Sequence, residues 1–385
     1  MKKRLISVIL TAAMLMTALA GCSGKENTPA GSQESPAQQE TQEASQSAGG
    51  GKGTKDNPIE LGMGAISQDP ATTTAKYRSM GDELAILMDK VEEYSEGGVT
   101  IKGYWSGTLG GNPSMQEQVM MGELDMHFGQ PMSSNDPRYG AWNLPFVYDS
   151  YDEIIAAVNP VDGPVFEVSS RWCEENGVHL VLISMSMMRS FINSRHEVRV
   201  PEDCKDLKIR TYEDDIVNTF WSGLGTASII AGSEIYSALQ TKTVDAMEFH
   251  LSGIDSYNLN EVATYVTELN WQWTNGGCLT INQEVWDSLD PSAQEAINKA
   301  ALDAFLFQAE QELKDLEELP GYLTDDLGME FITLTDAERQ LWIDYARSLD
   351  ATFIEKIGQE AFDEYMAAVE DAKARVTEGT AYTLN

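Results

Sequence analysis

Residues 188–212 read MRSFINSRHEVRVPEDCKDLKIRTY, and four of the chain's eleven arginines (Arg189, Arg195, Arg199 and Arg210) fall within them. The surrounding protein is strongly acidic, with 61 Asp and Glu against 26 Lys and Arg and a formal net charge of −35. An island of arginine in such a chain points to an anion site. The guanidinium is a rigid planar fork of donors that matches a carboxylate or phosphate in bidentate fashion and stays charged at any working pH. Arg210 is its sharpest member. Lys208 to Tyr212 alternates as a short strand and runs into an acidic turn, and a residue at such a strand end can face a cleft.

Similar short strands, alternating with helices, extend on both sides. Ile59 to Met63 and Val99 to Trp105 read as strands, with the helical stripe Leu84, Leu87, Met88, Val91 and Tyr94 between them. Asn112-Pro113 reads as an N-cap and first helical position, opening a helix that ends at Gly122 before a strand from Leu124 to Phe128. The pattern returns later: a helix from about Val165, a strand from Val178 to Ser184, the strand at Lys208, a helix capped by Ser233, and a strand from Val244 to Phe249. Units of this length predict an α/β fold, with a parallel-rich sheet covered by helices. Met185 to Met188 reads as buried strand. The last third is helical. Asp290-Pro291 opens a run with no breaker before Pro320, which makes a helix of roughly 40 Å, longer than one small domain. Thr335 with Glu338 forms a capping box, and a final helix is expected from Glu360 to Val376.

The amino terminus has a different character. Lys2, Lys3 and Arg4 precede an apolar run and then Leu19-Ala20-Gly21-Cys22, the form of a secretory signal peptide over residues 1–21. Leu-Ala-Gly-Cys resembles a bacterial lipobox, which makes Cys22 a lipid-attachment site and the membrane surface a partner. Residues 22–55 are nearly all small or polar and read as a disordered tether. Without the three basic residues of the leader, 23 basic against 61 acidic side chains leave −38. Such a charge excludes nucleic acid as a plausible partner, because that binding rests on neutralising phosphates. Cys173, Cys204 and Cys278 are widely spaced; at most one pair can form, and the spacing does not say which. The four histidines share no metal-ligand spacing, so no metal or cofactor is implied.

From about Ile59 to Val376 the chain resembles the substrate-binding proteins of tripartite ATP-independent periplasmic (TRAP) transporters, the dicarboxylate-receptor (DctP) type. Five segments carry the resemblance in order: GTLGGNPSMQEQVMMGELDM from Gly107, NLPFVYDS from Asn143, VPEDCKDLKIR from Val200, SEIYSALQTKTVDAME from Ser233 and INQEVWDSL from Ile281. It implies a two-lobed, periplasmic-binding-protein-like (type II-like) α/β fold that closes over a small organic acid. Such a receptor delivers its ligand to a membrane permease driven by an ion gradient. Lobe I is expected over 56–186, lobe II over 187–275, a return to lobe I with the spanning helix over 276–316, and a helical part of lobe II over 317–385. The resemblance gives Arg210 the carboxylate salt bridge and Arg189 a second anion contact. Phe249 stands where the family often has a small or amide residue, which disfavours sialic acid. Phe249, Tyr212 and Trp271 or Trp273 are then expected to face the far end of the ligand, which fits an apolar or aromatic acid.

Other readings compete residue by residue. Glu248 serves either as a structural partner of Arg210 or as an acceptor toward the ligand. Trp105, Trp271 and Trp273 suit core packing as well as pocket walls. Arg195 and Arg199 read as surface pairs with Glu197, Glu202 and Asp203. A secreted hydrolase or lyase using paired acids, Asp214-Asp215 or Asp245 with Glu248, is the competing function. Against it, the chain has no serine or cysteine nucleophile motif, no HExxH and no phosphate loop.

If Cys22 carries lipid, Cys22→Ser should move the protein from the membrane fraction to the soluble one and leave ligand affinity unchanged. Membrane association that persists in the variant would contradict the anchor.

Overall fold

Short apolar strands joined through helices cannot form hairpins with one another; they must lie parallel, with helices covering the sheet. The computed structural model, which describes residues 51–77, 79–273 and 277–384, follows this constraint twice. The first half runs β1 (Ile59–Ala65), α1 (Ser79–Tyr94), β2 (Val99–Tyr104), α2 (Asn112–Met120), β3 (Met126–Gly129), α3 (Tyr151–Val158), α4 (Pro164–Glu175) and β4 (Val178–Ile183). The middle runs β5 (Ser190–Asn193), β6 (Lys208–Thr211), α5 (Asp215–Ser222), β7 (Thr226–Ile229), α6 (Ile235–Gln240), β8 (Ala246–Phe249), α7 (Ser252–Ser256) and β9 (Tyr265–Glu268). The last part runs β10 (Cys278–Asn282), α8 (Gln283–Ser288), α9 (Pro291–Gly321), β11 (Glu330–Thr333), α10 (Asp336–Arg347), α11 (Asp350–Ile357) and α12 (Gln359–Glu378).

Two sheets result. The first has the order β2-β1-β3-β10-β4 and the second β11-β9-β5-β8-β6-β7. Within the first, β1 pairs in parallel with β2 and β3, while β10 is antiparallel to both its neighbours. The chain therefore crosses from one sheet to the other after β4 and back after β9. A third connection is α9, whose 31 residues reach about 46 Å. Its first half lies in the core of the first sheet through Ala293, Ile297, Ala301 and Phe305, and Leu319 lies in the core around β8 and β9. Asp290 caps it by accepting from the Ser292 N–H at 3.0 Å, and Pro291 follows at the first position. Pro320 stays within the last turn, and a single π-turn, Tyr322–Asp326, follows.

Several elements depart from expectation for identifiable reasons. Met185 to Met188 are buried as expected but form no strand; this is the crossover from β4 to β5, and a segment leaving one sheet cannot stay in its ladder. The Met188 N–H donates instead to the Tyr151 hydroxyl at 3.0 Å. Asn112 is the first helical residue of α2, and Gly111 takes the cap position without a side-chain bond. Ser233 lies in a short 3-10 turn before α6 and caps nothing. Residues 51–55, assigned to the tether by composition, join the folded body: Lys52 bridges to Leu289, and the Asp290 N–H donates to the Lys52 carbonyl at 2.8 Å. The leader, Cys22 and the tether up to residue 50 lie outside the described residues.

Residues 317–385 divide between two tasks. β11 pairs with β9 at the edge of the second sheet. α12, whose buried face is Ala361, Tyr365, Ala368, Val369 and Ala372, packs on α3 and α4, which the chain places between β3 and β4. Tyr148 and Tyr365 hydroxyls meet there at 3.4 Å. Among the described residues no helix is long and apolar enough to cross a membrane.

α1 packs along α9 and carries a fully buried carboxyl, Glu83, whose Oε2 accepts from Ser184 Oγ at 2.5 Å. Burial pushes this group well above its usual range; the Ser184 bond opposes the shift and repulsion from Glu312 on α9 adds to it. A carboxyl with a raised folded pKa contributes stability that is fully present below the unfolded value of about 4.3 and lost as the pH rises through the folded value. Glu83→Gln keeps the shape and does not titrate. The variant's melting temperature should therefore gain on wild type between about pH 5 and about pH 8; a difference that stays constant or shrinks over that range would contradict the buried, protonated state.

Candidate functional site

Arg189 immediately precedes β5, and the antiparallel register sets Ser190 opposite Phe249 and Phe191 opposite Glu248. The start of β5 therefore lies beside the end of β8. β6 runs parallel to β8, with Arg210 opposite Met247, so its carboxyl end emerges at the same edge. Arg189, Arg210, Tyr212, Glu248 and Phe249 are brought together in this way, at the carboxyl ends of two parallel strands, where open α/β sheets present ligand-binding residues.

The two arginines are held differently. Arg189 has its backbone fixed by Gln272, whose carbonyl accepts its N–H at 2.8 Å. Its Nε and Nη2 both donate to the Glu248 carboxylate, Nη2 at 3.0 Å, and Nη2 also reaches the Glu248 carbonyl at 3.2 Å. Glu248 is thus the partner of Arg189 and not of Arg210. Burial favours the neutral form of both members. In Arg189 the attraction of Glu248 outweighs it, and in Glu248 burial pushes the carboxyl up against the pull of Arg189 and Arg210.

Arg210 is only 4% exposed. Its Nε donates to the Ile230 carbonyl at 3.0 Å, and among the described residues its Nη1 and Nη2 groups have no protein acceptor. Burial lowers its pKa to about 10, with attraction from Glu248 opposing and repulsion from Arg189 adding, so the group remains charged at neutral pH. A buried cation with an unused fork of four N–H donors is the chemical signature of the site.

Around these charges stands a set of rings and amides. Tyr212 lies under both guanidinium groups, 5.4 Å from Arg189 Cζ and 5.7 Å from Arg210 Cζ. Its hydroxyl donates to Asn143 Oδ1 at 3.1 Å, an atom that also accepts from Gln130 Nε2 at 2.6 Å and Gln272 Nε2 at 3.0 Å. Gln130 directly follows β3, so this one amide oxygen joins the first sheet's loop to the end of β6. Ser133 Oγ adds a second link by donating to Asp214 at 2.9 Å. Phe249 stacks on His250 at 4.4 Å and meets the edge of Tyr257 at 5.2 Å. The ring rests so closely on Gly253 that a Cβ there would come within 2.1 Å of it. His250 and Tyr257 were not legible as site residues, since a lone His and a lone Tyr carry no spacing signal. Burial pushes the His250 imidazole down to about 3, with repulsion from Arg189 adding, so it is neutral.

The other expected site residues lie elsewhere. The Trp271 ring stacks on Phe220 at 4.7 Å and meets Trp221 edge-on, and the Trp273 ring meets the edge of Tyr148. Both are core residues, and Trp271 serves the site through its backbone, whose N–H donates to the Arg189 carbonyl at 3.2 Å. Arg195 is half-exposed and pairs with Asp245 at 3.6 Å; Arg199 pairs with Glu197 and Glu338. The paired acids do not converge as catalytic groups. Asp214 caps α5 by accepting from the Ile216 and Val217 N–H groups, Asp215 is exposed near Lys356, and Asp245 accepts the Lys208 N–H. Concavities of about 350 Å³ beside Phe166 and about 590 Å³ beside Glu92 share no residue with the arginine cluster. Cys173, Cys204 and Cys278 are buried, and none of them forms a disulfide among the described residues. Among the described residues no group of three or more His, Cys, Asp or Glu converges to hold a metal ion.

Comparison with known proteins places these observations. Residues 71–356 match the family described as bacterial extracellular solute-binding protein, family 7 (DctP). A solute-binding protein of Chromohalobacter salexigens is 30% identical over 227 residues, 58% of this chain and 66% of that one. The C4-dicarboxylate-binding periplasmic protein DctP of Rhodobacter capsulatus is 24% identical over 306 residues, 78% of this chain and 88% of that one. In three dimensions the sugar acid binding protein DctPAm of Advenella mimigardefordensis, solved in complex with galactonate, superposes with a TM-score of 0.72 at 23% identity, covering 82% of this chain and 99% of that one. That last likeness speaks for the two-lobed fold. The family match covers every strand but β1, all of α9 and every residue of the arginine cluster, and from it we conclude that this chain belongs to family 7 of the bacterial extracellular solute-binding proteins, the DctP family of TRAP-transporter receptors.

Proposed function

We propose that the chain binds a small organic acid by laying its carboxylate across Nη1 and Nη2 of Arg210, in the cleft between the two sheets, and presents it to a TRAP permease. The observation that carries the reading is the Arg210 guanidinium, which is buried and charged and has, among the described residues, no protein acceptor for these two groups. A carboxylate there would satisfy both forks and exclude water from the pair. Tyr212, Phe249, His250 and Tyr257 would form the walls, with Trp271 and Trp273 supporting them from the core. The ligands of the related proteins agree in chemistry: C4-dicarboxylate and galactonate both carry a carboxylate.

The protein is a receptor and not an enzyme, in keeping with its family. Attachment of lipid at Cys22, with residues 23–50 as tether, would keep it beside the permease on the outer face of the membrane. Binding would join the lobes through the ligand, adding to the Gln130, Asn143, Tyr212 and Ser133, Asp214 contacts. The two crossovers and α9 would carry the hinge.

Calorimetry on a panel of organic acids tests this site. Truncating one partner of a buried charged pair costs roughly 2 to 5 kcal/mol, so Arg210→Ala should weaken binding by more than about 25-fold. Arg210→Lys restores charge without the fork and should stay well below wild type. Arg195→Ala, which removes only a surface pair, should change affinity by less than about threefold. If Arg210→Ala is folded and binds within a few-fold of wild type, the clamp is wrong.

A further inference from the structure

The same cluster bears on how many carboxylates the ligand carries. Two arginines in one site suggest a dicarboxylate, with one guanidinium for each end. The geometry points to the opposite, and we infer that Glu248 makes this receptor selective for monocarboxylates over dicarboxylates of the same size. The inference rests on the carboxylate reading of Arg210.

Donors decide the first step. Arg189 commits Nε and Nη2 to the Glu248 carboxylate and a further Nη2 bond to the Glu248 carbonyl, which leaves only its Nη1. Among the described residues Arg210 commits only Nε, to Ile230, and keeps both terminal groups. The site therefore holds one complete bidentate fork and not two. A second carboxylate could reach Arg189 only through a single nitrogen, on a guanidinium already paired with an acid.

Charge decides the second step. Arg189 enters from the start of β5, Arg210 and Tyr212 from the end of β6, Glu248 and His250 from the end of β8, and Tyr257 from the turn after α7. Asp214, at the start of α5, lies close enough to act on Tyr212. The first sheet's side contributes the amides Gln130 and Asn143, and the segment between β9 and β10 contributes Gln272; none of these is charged. His250 is neutral, and the tyrosines are held in the protonated form by burial. Arg189 and Glu248 cancel, and among the described residues the charge left for a ligand is that of Arg210. One carboxylate balances it. A second would be a net uncompensated anion in a buried site beside Glu248, with Asp214 nearby, and desolvating an unpaired carboxylate is among the most costly steps a protein can take.

The rest of the ligand must then be uncharged. Hydroxyl groups fit this requirement as well as apolar carbon does, because Arg189 Nη1 and the Tyr257 hydroxyl are polar groups that carry no demand for a second negative charge.

Matched acids provide the test. Calorimetry on the purified mature protein would compare benzoate with terephthalate, gluconate with glucarate, and butyrate with succinate. The account expects the tightest monocarboxylate to bind at least tenfold tighter than its dicarboxylate counterpart, and Glu248→Gln to shrink that ratio by raising the relative affinity of the dicarboxylate. Equal or tighter binding of the dicarboxylates by wild type would overturn the inference while leaving the Arg210 clamp standing, provided that Arg210→Ala still weakens binding by more than about 25-fold. A wild-type preference that Glu248→Gln leaves unmoved would remove Glu248 as its cause. No binding by any acid in the panel would overturn the carboxylate reading and this inference with it. The wild-type ratio decides the main claim even if the variant fails to fold.

Discussion

A guanidinium taken out of water has to be given an anion, and the architecture around Arg210 follows from that constraint. Its stem is packed and its Nε is tied to Ile230, so the side chain cannot swing out to solvent to relieve the cost. The nearby Glu248 could have neutralised it, but Arg189 occupies both Glu248 oxygens. Arg189 and Glu248 thus act as a pair that removes the obvious internal partner while contributing no net charge. In the proposed reading, the anion that completes Arg210 comes from outside the chain.

Placement of that cation depends on strand ends. β6 and β8 run parallel, so Arg210, Tyr212, Glu248 and Phe249 reach the same edge of the second sheet, and the antiparallel β5 brings Arg189 to meet them. The first sheet reaches them through Gln130 and Ser133, which follow β3. These contacts are polar, and an apolar seam lies beside them, with the Phe146 ring 6.5 Å from Phe220 and residues of both sheets sharing one buried core. α9 and the two crossovers connect the two sheets. The large surplus of acidic side chains is compatible with an anionic ligand. At physiological salt the Debye length is about 8 Å, so remote carboxylates are screened and the buried guanidinium dominates locally.

Much of this was legible in sequence, and the parts that were not share a cause. The strand and helix alternation, the Asp290-Pro291 start of α9 and the Thr335 and Glu338 capping box are local signals, and local signals survive into the fold. Arg189 and Arg210 stood out because arginine is scarce here and clustered. Pairings across the chain did not show. Arg189 meets Glu248 and Arg195 meets Asp245, each pair being at least 50 positions apart, and nothing in the sequence distinguishes Glu248 as partner of Arg189 from partner of Arg210. Trp271 and Trp273 illustrate the same limit. A buried aromatic ring looks alike in a pocket wall and in a core, and only the stacking on Phe220 and Tyr148 assigns these two to the core. His250 and Tyr257 stayed hidden because each gains its place from Phe249 packing on Gly253.

The central claim concerns where the carboxylate sits, and a crystal structure of the protein with the acid that copurifies with it would test that claim most directly. The account predicts both carboxylate oxygens within hydrogen-bonding distance of Arg210 Nη1 and Nη2, with Arg189 still bonded to Glu248. A ligand whose carboxylate lies elsewhere, or that displaces Glu248 to bind Arg189 in bidentate fashion, would contradict it.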